Sequence, residues 1–213
     1  MARTRTHRDG CGIAHAADFL SERWVLVVIR ELLLGPKRFT DLRTGIPDIS
    51  PNVLGQRLRE LEESGIVRRR KLPPPAAARV YELTEWGQEL EPAVLALGRW
   101  ATSSPGFPRD AGMGSDSMVL AIKSAFDRDA AAGLDASYGL EFGEEAFRIE
   151  VSDGELTARR GEAEDPDAVI RTDPNILAGV VFRGTPLGKA VDAGNVQIDG
   201  SKRAITRLLR ALT

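Results

Sequence analysis

The chain has little of the chemistry that most enzymes and metalloproteins need. Its 213 residues include one cysteine, Cys11, and two histidines, His7 and His15. A single cysteine excludes an intrachain disulfide framework, and a reducing cytoplasm is the compartment expected. No Cys/His set has zinc-ligand spacing, and neither a glycine-rich phosphate loop nor a nucleophile elbow is present. No metal or cofactor is therefore expected. An enzyme would have to work with paired carboxylates such as Glu144 and Glu145, and a non-enzyme is the expectation. No apolar run approaches the length of a bilayer span, so no membrane partner is expected. Arg3, Arg5 and Arg8 lead into no apolar signal core, and His7 falls in a tail expected to be disordered. Charge of one sign is not in excess overall, with a net charge of −2. At 42% hydrophobic and 28% charged, the chain is globular rather than disordered.

The even balance conceals an uneven distribution. Residues 1–100 hold 16 Lys+Arg against 13 Asp+Glu, and residues 101–213 hold 13 against 18. Within 37–79 the count is 10 against 5. A short basic region in an acidic chain fits either a polyanion partner or a solvated basic face. The sign changes across a Gly-, Pro- and Ser-rich stretch, which reads as a linker over 104–116 between domains at 1–103 and 117–213.

The first domain reads as four helices, a hairpin and a last helix. Ile13 to Leu20 is a short apolar helix. Trp24 to Leu34 is apolar nearly all round and should be the buried central helix, stopped by Gly35-Pro36. Phe39 to Thr44 is a third, short helix. Ser50 to Ser64 is the best-marked element, with Ser50 as N-cap, Pro51 at the first helical position and Gly65 after the end. Leu54, Leu58 and Leu61 form its inward stripe, and Asn52, Gln56, Arg59 and Glu63 lie opposite. Asn and Gln can contact adenine with two hydrogen bonds, and Arg guanine, in a groove that admits one helix. Alone, this is also how an ordinary amphipathic surface helix looks. After it come Arg68-Arg69-Arg70-Lys71, a Pro-rich turn, and Arg79 to Leu83, a hairpin with a basic first strand. Helix, turn, capped helix and basic hairpin in that order are the plan of a winged helix. Thr84 then caps a helix to Trp100, with Leu90, Val94, Leu97 and Trp100 in one stripe and Pro92 as a kink or restart.

Cys11-Gly12-Ile13-Ala14, Arg23-Trp24 and Arg30-Glu31-Leu32-Leu33-Leu34-Gly35-Pro36-Lys37-Arg38-Phe39 resemble the HxlR family of bacterial winged-helix regulators. So do Ile49-Ser50-Pro51-Asn52-Val53-Leu54, Gln56-Arg57-Leu58-Arg59-Glu60-Leu61-Glu62 and Tyr81-Glu82-Leu83-Thr84-Glu85-Trp86-Gly87. The resemblance covers about residues 11–100. It implies a homodimer that pairs through its terminal helices and reads palindromic double-stranded DNA, with recognition helices about 34–36 Å apart. The candidate DNA contacts are Ser50, Asn52, Gln56 and Arg59 on the helix, and Arg68, Arg69, Arg70 and Lys71 on the wing. Two features depart from the family, His15 where a basic residue is more usual and the Ala76–Ala78 wing tip.

In the second domain a helix begins at Met118. Tyr138–Phe142 and Phe147–Val151 alternate as half-buried antiparallel strands do. Asp153-Gly154 signals a hairpin into Glu155–Arg160. Ala168–Thr172 is another strand, and helices start at Asp173-Pro174 and Pro186. Val196–Ile198 is a short strand, and Ser201 caps a final helix. The expected fold class is α+β overall: a mainly α winged helix-turn-helix with a β-hairpin wing, then an α+β domain whose mainly antiparallel sheet is covered by helices. The order of elements, with Val169-Ile170-Arg171-Thr172-Asp173-Pro174 and Gly194-Asn195-Val196-Gln197-Ile198-Asp199-Gly200, resembles the sterol-carrier-protein type 2 fold. That resemblance implies a tunnel for a hydrophobic or lipid-like small molecule. Candidate lining residues are Phe142, Phe147, Leu177, Val180, Val181, Phe182 and Leu187, each of which would serve equally as plain core.

Cys11 and His15, at i and i+4, can meet on one helical face. A thiol near a helix N-terminus is a candidate redox sensor, or else a passive thiol in the dimer contact. The reading is a dimeric DNA-binding regulator with a hydrophobic effector. Its rival is a lipid carrier in which the winged domain serves for dimerisation.

Overall fold

The computed structural model describes residue 7 and residues 9–74 and 77–212. The chain forms two compact units, Met1–Val94 and Leu95–Thr213. The division falls inside a helix.

In the first unit, α1 (Gly12–Leu20), α2 (Val25–Leu33), α3 (Phe39–Gly45) and α4 (Pro51–Glu63) precede a hairpin of β1 (Val67–Lys71) and β2 (Arg79–Leu83). Helix α2 is central, with Val28, Ile29 and Leu32 fully buried. It is entered through Trp24, whose φ of 80° is left-handed backbone that costs a non-glycine residue about 1–2 kcal/mol. The Arg23 guanidinium lies 4.8 Å over the Trp24 ring. Among the core side chains of α2 stands Glu31, 2% exposed, which a reading as apolar nearly all round passes over. Its carboxylate pairs with Lys37 Nζ at 2.5 Å and Arg30 Nη2 at 2.7 Å. Lys37 also exchanges two backbone hydrogen bonds with Tyr81, at 3.0 and 2.8 Å, joining the α3 entry to the second wing strand.

Helix α4 begins and ends as its sequence dictates. Ser50 Oγ accepts the Val53 N–H at 3.3 Å, Pro51 opens the helix, and Gly65 follows it at φ +76°. The expected single helix from Thr84 to Trp100 is instead two. Thr84 Oγ1 caps α5 (Glu85–Gln88) by accepting the Gly87 N–H at 3.0 Å. Helix α6 (Glu91–Thr102) restarts with Pro92 as its second residue, where no helical N–H is required. Gly87 packs so closely on the Ile66 carbonyl that a Cβ would not fit.

His7, expected in a disordered tail, is bound to α1. Its backbone N–H donates to Asp18 Oδ1 at 2.9 Å, and its Nδ1 lies 2.6 Å from the same oxygen. These bonds, and the nearby imidazoles of His7 and His15, hold the Asp18 carboxyl below its ordinary pKa. The tether is therefore present at neutral pH and is lost as pH falls through that depressed value.

The second unit starts with the last two turns of α6. It continues through α7 (Ser115–Ala125), β3 (Ala136–Phe142), β4 (Glu145–Ser152), β5 (Glu155–Arg160), β6 (Ala168–Thr172), α8 (Pro174–Phe182), α9 (Leu187–Asp192), β7 (Val196–Gly200) and α10 (Lys202–Arg210). The sheet order is β5-β4-β3-β6-β7, antiparallel except for the β3–β6 pair. One face is buried: Tyr138, Leu140 and Phe142 on β3 lie beside Phe147, Ile149 and Val151 on β4. The other face alternates to polar residues, such as Glu141 paired with Arg171 at 2.6 Å. Tyr138 donates its hydroxyl to the Ala204 carbonyl at 3.1 Å, which places α10 on the buried face. Burial pushes that phenol up to about 12. Arg160 stands over the Phe147 ring at 4.6 Å and binds Asp116 of α7 at 2.5 Å, placing α7 on the same face. The Asp153-Gly154 turn has φ of 53° and 72°, the geometry of a tight hairpin. Among the described residues no helix is long and apolar enough to cross a membrane.

Candidate nucleic-acid interface

The outward side of α4 is set by burial of Leu54, Leu58 and Leu61, which are all 0–1% exposed. With these inward, Asn52 and Arg59 are exposed and Gln56 is half-buried. Gln56 does not point free: its Nε2 donates to Glu60 Oε1 at 3.0 Å, one turn on. Reading a base would require this intrahelical bond to open. Arg57, on the same helix, is held in the fold by Glu22 at 2.9 Å and by Glu60. The distal half of α4 carries Glu60, Glu62 and Glu63, so a polyanion is favoured only at its N-terminal half. There the Asn52 side chain and its backbone N–H are presented, since Pro51 has no N–H and those of Val53 and Leu54 are taken by Ser50.

The wing cations are largely engaged within the protein. The hairpin register sets Arg68 directly across from Glu82 and Arg70 diagonally from it. Both guanidinium Nε atoms lie 2.8 Å from the Glu82 carboxylate. Arg69 pairs with Glu62 at 2.9 Å and covers the Tyr81 ring at 5.1 Å. Lys71 differs, since its cross-strand partner is Arg79 and neither has an acidic partner among the described residues. Like charges directly opposite on a hairpin destabilise it unless an anion lies between or above them. The sequence alone does not single out Arg79, because only the register reveals it as the partner of Lys71. Pro75 and Ala76 of the wing tip lie outside the described residues.

A groove of about 270 Å³ in the first unit is lined by α1 and α5, including Phe19, Leu20, Ile66, Trp86 and Leu90. On α1, Ile13 is 81% exposed. At the N-cap of α1 the Cys11 thiol is exposed. The backbone N–H groups of Ala14 and Ile13 face it and hold its pKa below the ordinary thiol value, without making a formal cap bond. The expected meeting of Cys11 with His15 does not occur. The His15 ring packs edge-on against Phe19 at 4.7 Å and lies 3.8 Å from Asp18.

Over residues 19–105 the sequence matches the HxlR-like helix-turn-helix family. The uncharacterized HTH-type transcriptional regulator YvaP of Bacillus subtilis is 39% identical over 87 residues, covering 41% of this chain and 81% of its own. The chain belongs to the HxlR-like helix-turn-helix family. The HTH-type transcriptional regulator YodB of the same species is 40% identical over 86 residues, 40% of this chain and 77% of its own. The HxlR-like half is thus the half that carries α4 and the wing. Residues 115–213 match a second family, alkyl sulfatase C-terminal. A solved sec-alkylsulfatase, Pisa1 from Pseudomonas sp., is 22% identical over 48% of this chain and 17% of its own, with a TM-score of 0.44.

In that second unit Phe142 and Phe147 are neighbours, with ring centroids 6.0 Å apart. Phe147 and Leu177 are enclosed as core side chains, and Val181 is nearly so. Val180 and Leu187 are half-buried, and Phe182 is 42% exposed. Of the carboxylate pair that an enzyme would need, Glu145 binds Arg160 at 2.8 Å and Ser115 at 2.5 Å, while Glu144 is exposed.

Proposed function

We propose that this HxlR-type chain is a homodimeric, cytoplasmic transcription regulator without enzymatic activity. In this reading Ser50, Asn52, Gln56 and Arg59 of α4 meet the major groove, and Arg68, Arg69, Arg70 and Lys71, joined by Arg79, meet phosphates. The observation that carries it is the Lys71–Arg79 pair, two cations held opposite each other on the hairpin that follows α4. The test is affinity for a duplex selected by the full chain from random-sequence DNA, measured over a range of salt. Replacing Lys71 and Arg79 with Gln should lower the slope of log K against log salt by about 0.9 for each phosphate no longer neutralised. Sequence preference should be unchanged. An unaltered slope sinks the wing assignment.

Assembly rests on unpartnered apolar surface. Leu97 and Trp100 on α6 are 45% and 76% exposed, and Ile13 on α1 is exposed as well. A second copy that covers them supplies the two-fold symmetry of a palindromic site. Trp100→Glu is expected to convert a dimer to a monomer by light scattering at micromolar concentration. A parent protein already monomeric there rules the dimer out.

The second unit is read as the seat of a hydrophobic effector, supported by the Phe142–Phe147 pair on a one-sided sheet and by the apolar helix α8, which packs against α7. An alkyl chain, the moiety in the name of the matched family, is the ligand class proposed. Native mass spectrometry of the full chain, with and without organic extraction, tests for such a bound molecule.

A second reading concerns Cys11 as a sensor of oxidants or electrophiles, favoured by its exposure and by the N–H groups that lower its pKa. Alkylation of Cys11 by iodoacetamide should reach half its maximal rate below the pH of about 8.5 typical of a free thiol. A midpoint at or above that value removes this reading.

A further inference from the structure

Gly55 lies in the middle of α4, three residues after Asn52 and four before Arg59, on the flank of the face that carries both. The fold gives no reason for a glycine there. Its backbone is not in the positive-φ region, so its conformation suits any residue. A Cβ would meet only the Arg59 guanidinium, at an ordinary 3.6 Å. Gly45 and Gly87, by contrast, are held by close approach to the Glu31 carboxylate and the Ile66 carbonyl. A glycine in mid-helix weakens the helix relative to alanine, so at position 55 the chain accepts a loss that neither packing nor geometry requires.

What the glycine leaves is a shallow notch between the Asn52 amide and the Arg59 guanidinium. The floor of the notch offers no hydrogen-bonding group, because the backbone polar atoms of a mid-helix residue are spent within the helix, and the Asn52 and Arg59 side chains at its edges are committed to their own bases in this reading. A polar base atom pressed into it would lose its water and gain no partner. The base edge that fits should therefore present carbon, and the carbon group that protrudes into the major groove far enough to fill a notch is the C5-methyl of thymine, which cytosine lacks. We infer that the notch at Gly55 seats a thymine methyl group, so that one T·A pair of the bound site is specified by shape between the contacts of Asn52 and Arg59. This rests on the reading that α4 enters the major groove.

The test uses the full chain and the duplex it selects, with each thymine of a half-site replaced in turn by uracil. For the parent, one replacement should weaken binding about fourfold, the worth of one buried methyl group. Gly55→Ala should fold and melt a few degrees higher. It should bind the thymine duplex tenfold or more weakly, because two methyl groups then compete for one notch. On the duplex with uracil at that one position it should recover. Identical thymine and uracil behaviour of the parent and Gly55→Ala at every position overturns the inference. Asn52→Ala and Arg59→Ala separate the causes. If both keep parental affinity, the placement of α4 fails and the notch with it. If both lose affinity while Gly55→Ala behaves as the parent, the notch alone fails.

Discussion

Glu31→Ala is expected to destabilise the first unit by about 3–5 kcal/mol, the usual cost of removing one partner from a buried ion pair. The side chains of Glu31 and Lys37 are 3% and 5% exposed, and the carboxylate also holds Arg30. Without it, Lys37 loses the Glu31 carboxylate inside a core where water cannot replace it, whereas Arg30, 31% exposed, can turn to solvent. The loss should appear as a lower denaturant midpoint with little change in slope. The paired replacement Glu31→Leu with Lys37→Met should recover much of the deficit, since a well-packed apolar pair is often as stable as a buried salt bridge. A Glu31→Ala protein as stable as the parent would mean that the pair is solvated in solution.

Asn52→Ala and Arg59→Ala are each expected to weaken binding to the selected duplex by about 1–3 kcal/mol for every bidentate pair of hydrogen bonds removed. Binding to random DNA should change little for Asn52→Ala, because it is base contacts that distinguish sequences. The combined variant should lose about 2–6 kcal/mol, roughly 30-fold to 25,000-fold in specific affinity, if the two contacts are independent. Competition binding between selected and random duplexes measures this ratio. A double variant that still prefers the selected duplex as strongly as the parent would remove α4 from the groove.

Much of the first unit is legible in the sequence because its signals are local. Ser50, Pro51 and Gly65 bound α4 to within a residue, and the leucine stripe fixes which side faces outward. Asp153-Gly154 likewise marks its turn. The illegible features depend on pairing across the chain. Glu31 reads as an interruption in an apolar helix until Lys37 is brought beside it. Glu82 reads as one acid in a strand until the hairpin register gives it Arg68 and Arg70. The split of α5 from α6 is half legible, since Pro92 announces a restart without fixing where the preceding helix stops. Trp24 gives no warning at all, because nothing local in the sequence marks a left-handed backbone at a large aromatic residue. In the second unit the strands are legible by alternation. The lining residues are not, because Phe147 and Leu177 are as enclosed as any core side chain.

Glu82 has a consequence for how this protein competes for DNA. One carboxylate serves two arginines, so the wing carries its own counterion. When Arg68 and Arg70 turn to phosphates, the carboxylate they leave stays in the chain without its partners, so each of these contacts replaces an internal ion pair. The cations displaced from the DNA enter the solvent all the same, and it is their release that sets the salt slope. A salt titration would therefore still count Arg68 and Arg70 as contacts. Their net contribution to affinity should nevertheless be smaller than that of Lys71 and Arg79, which break no internal pair to reach a phosphate.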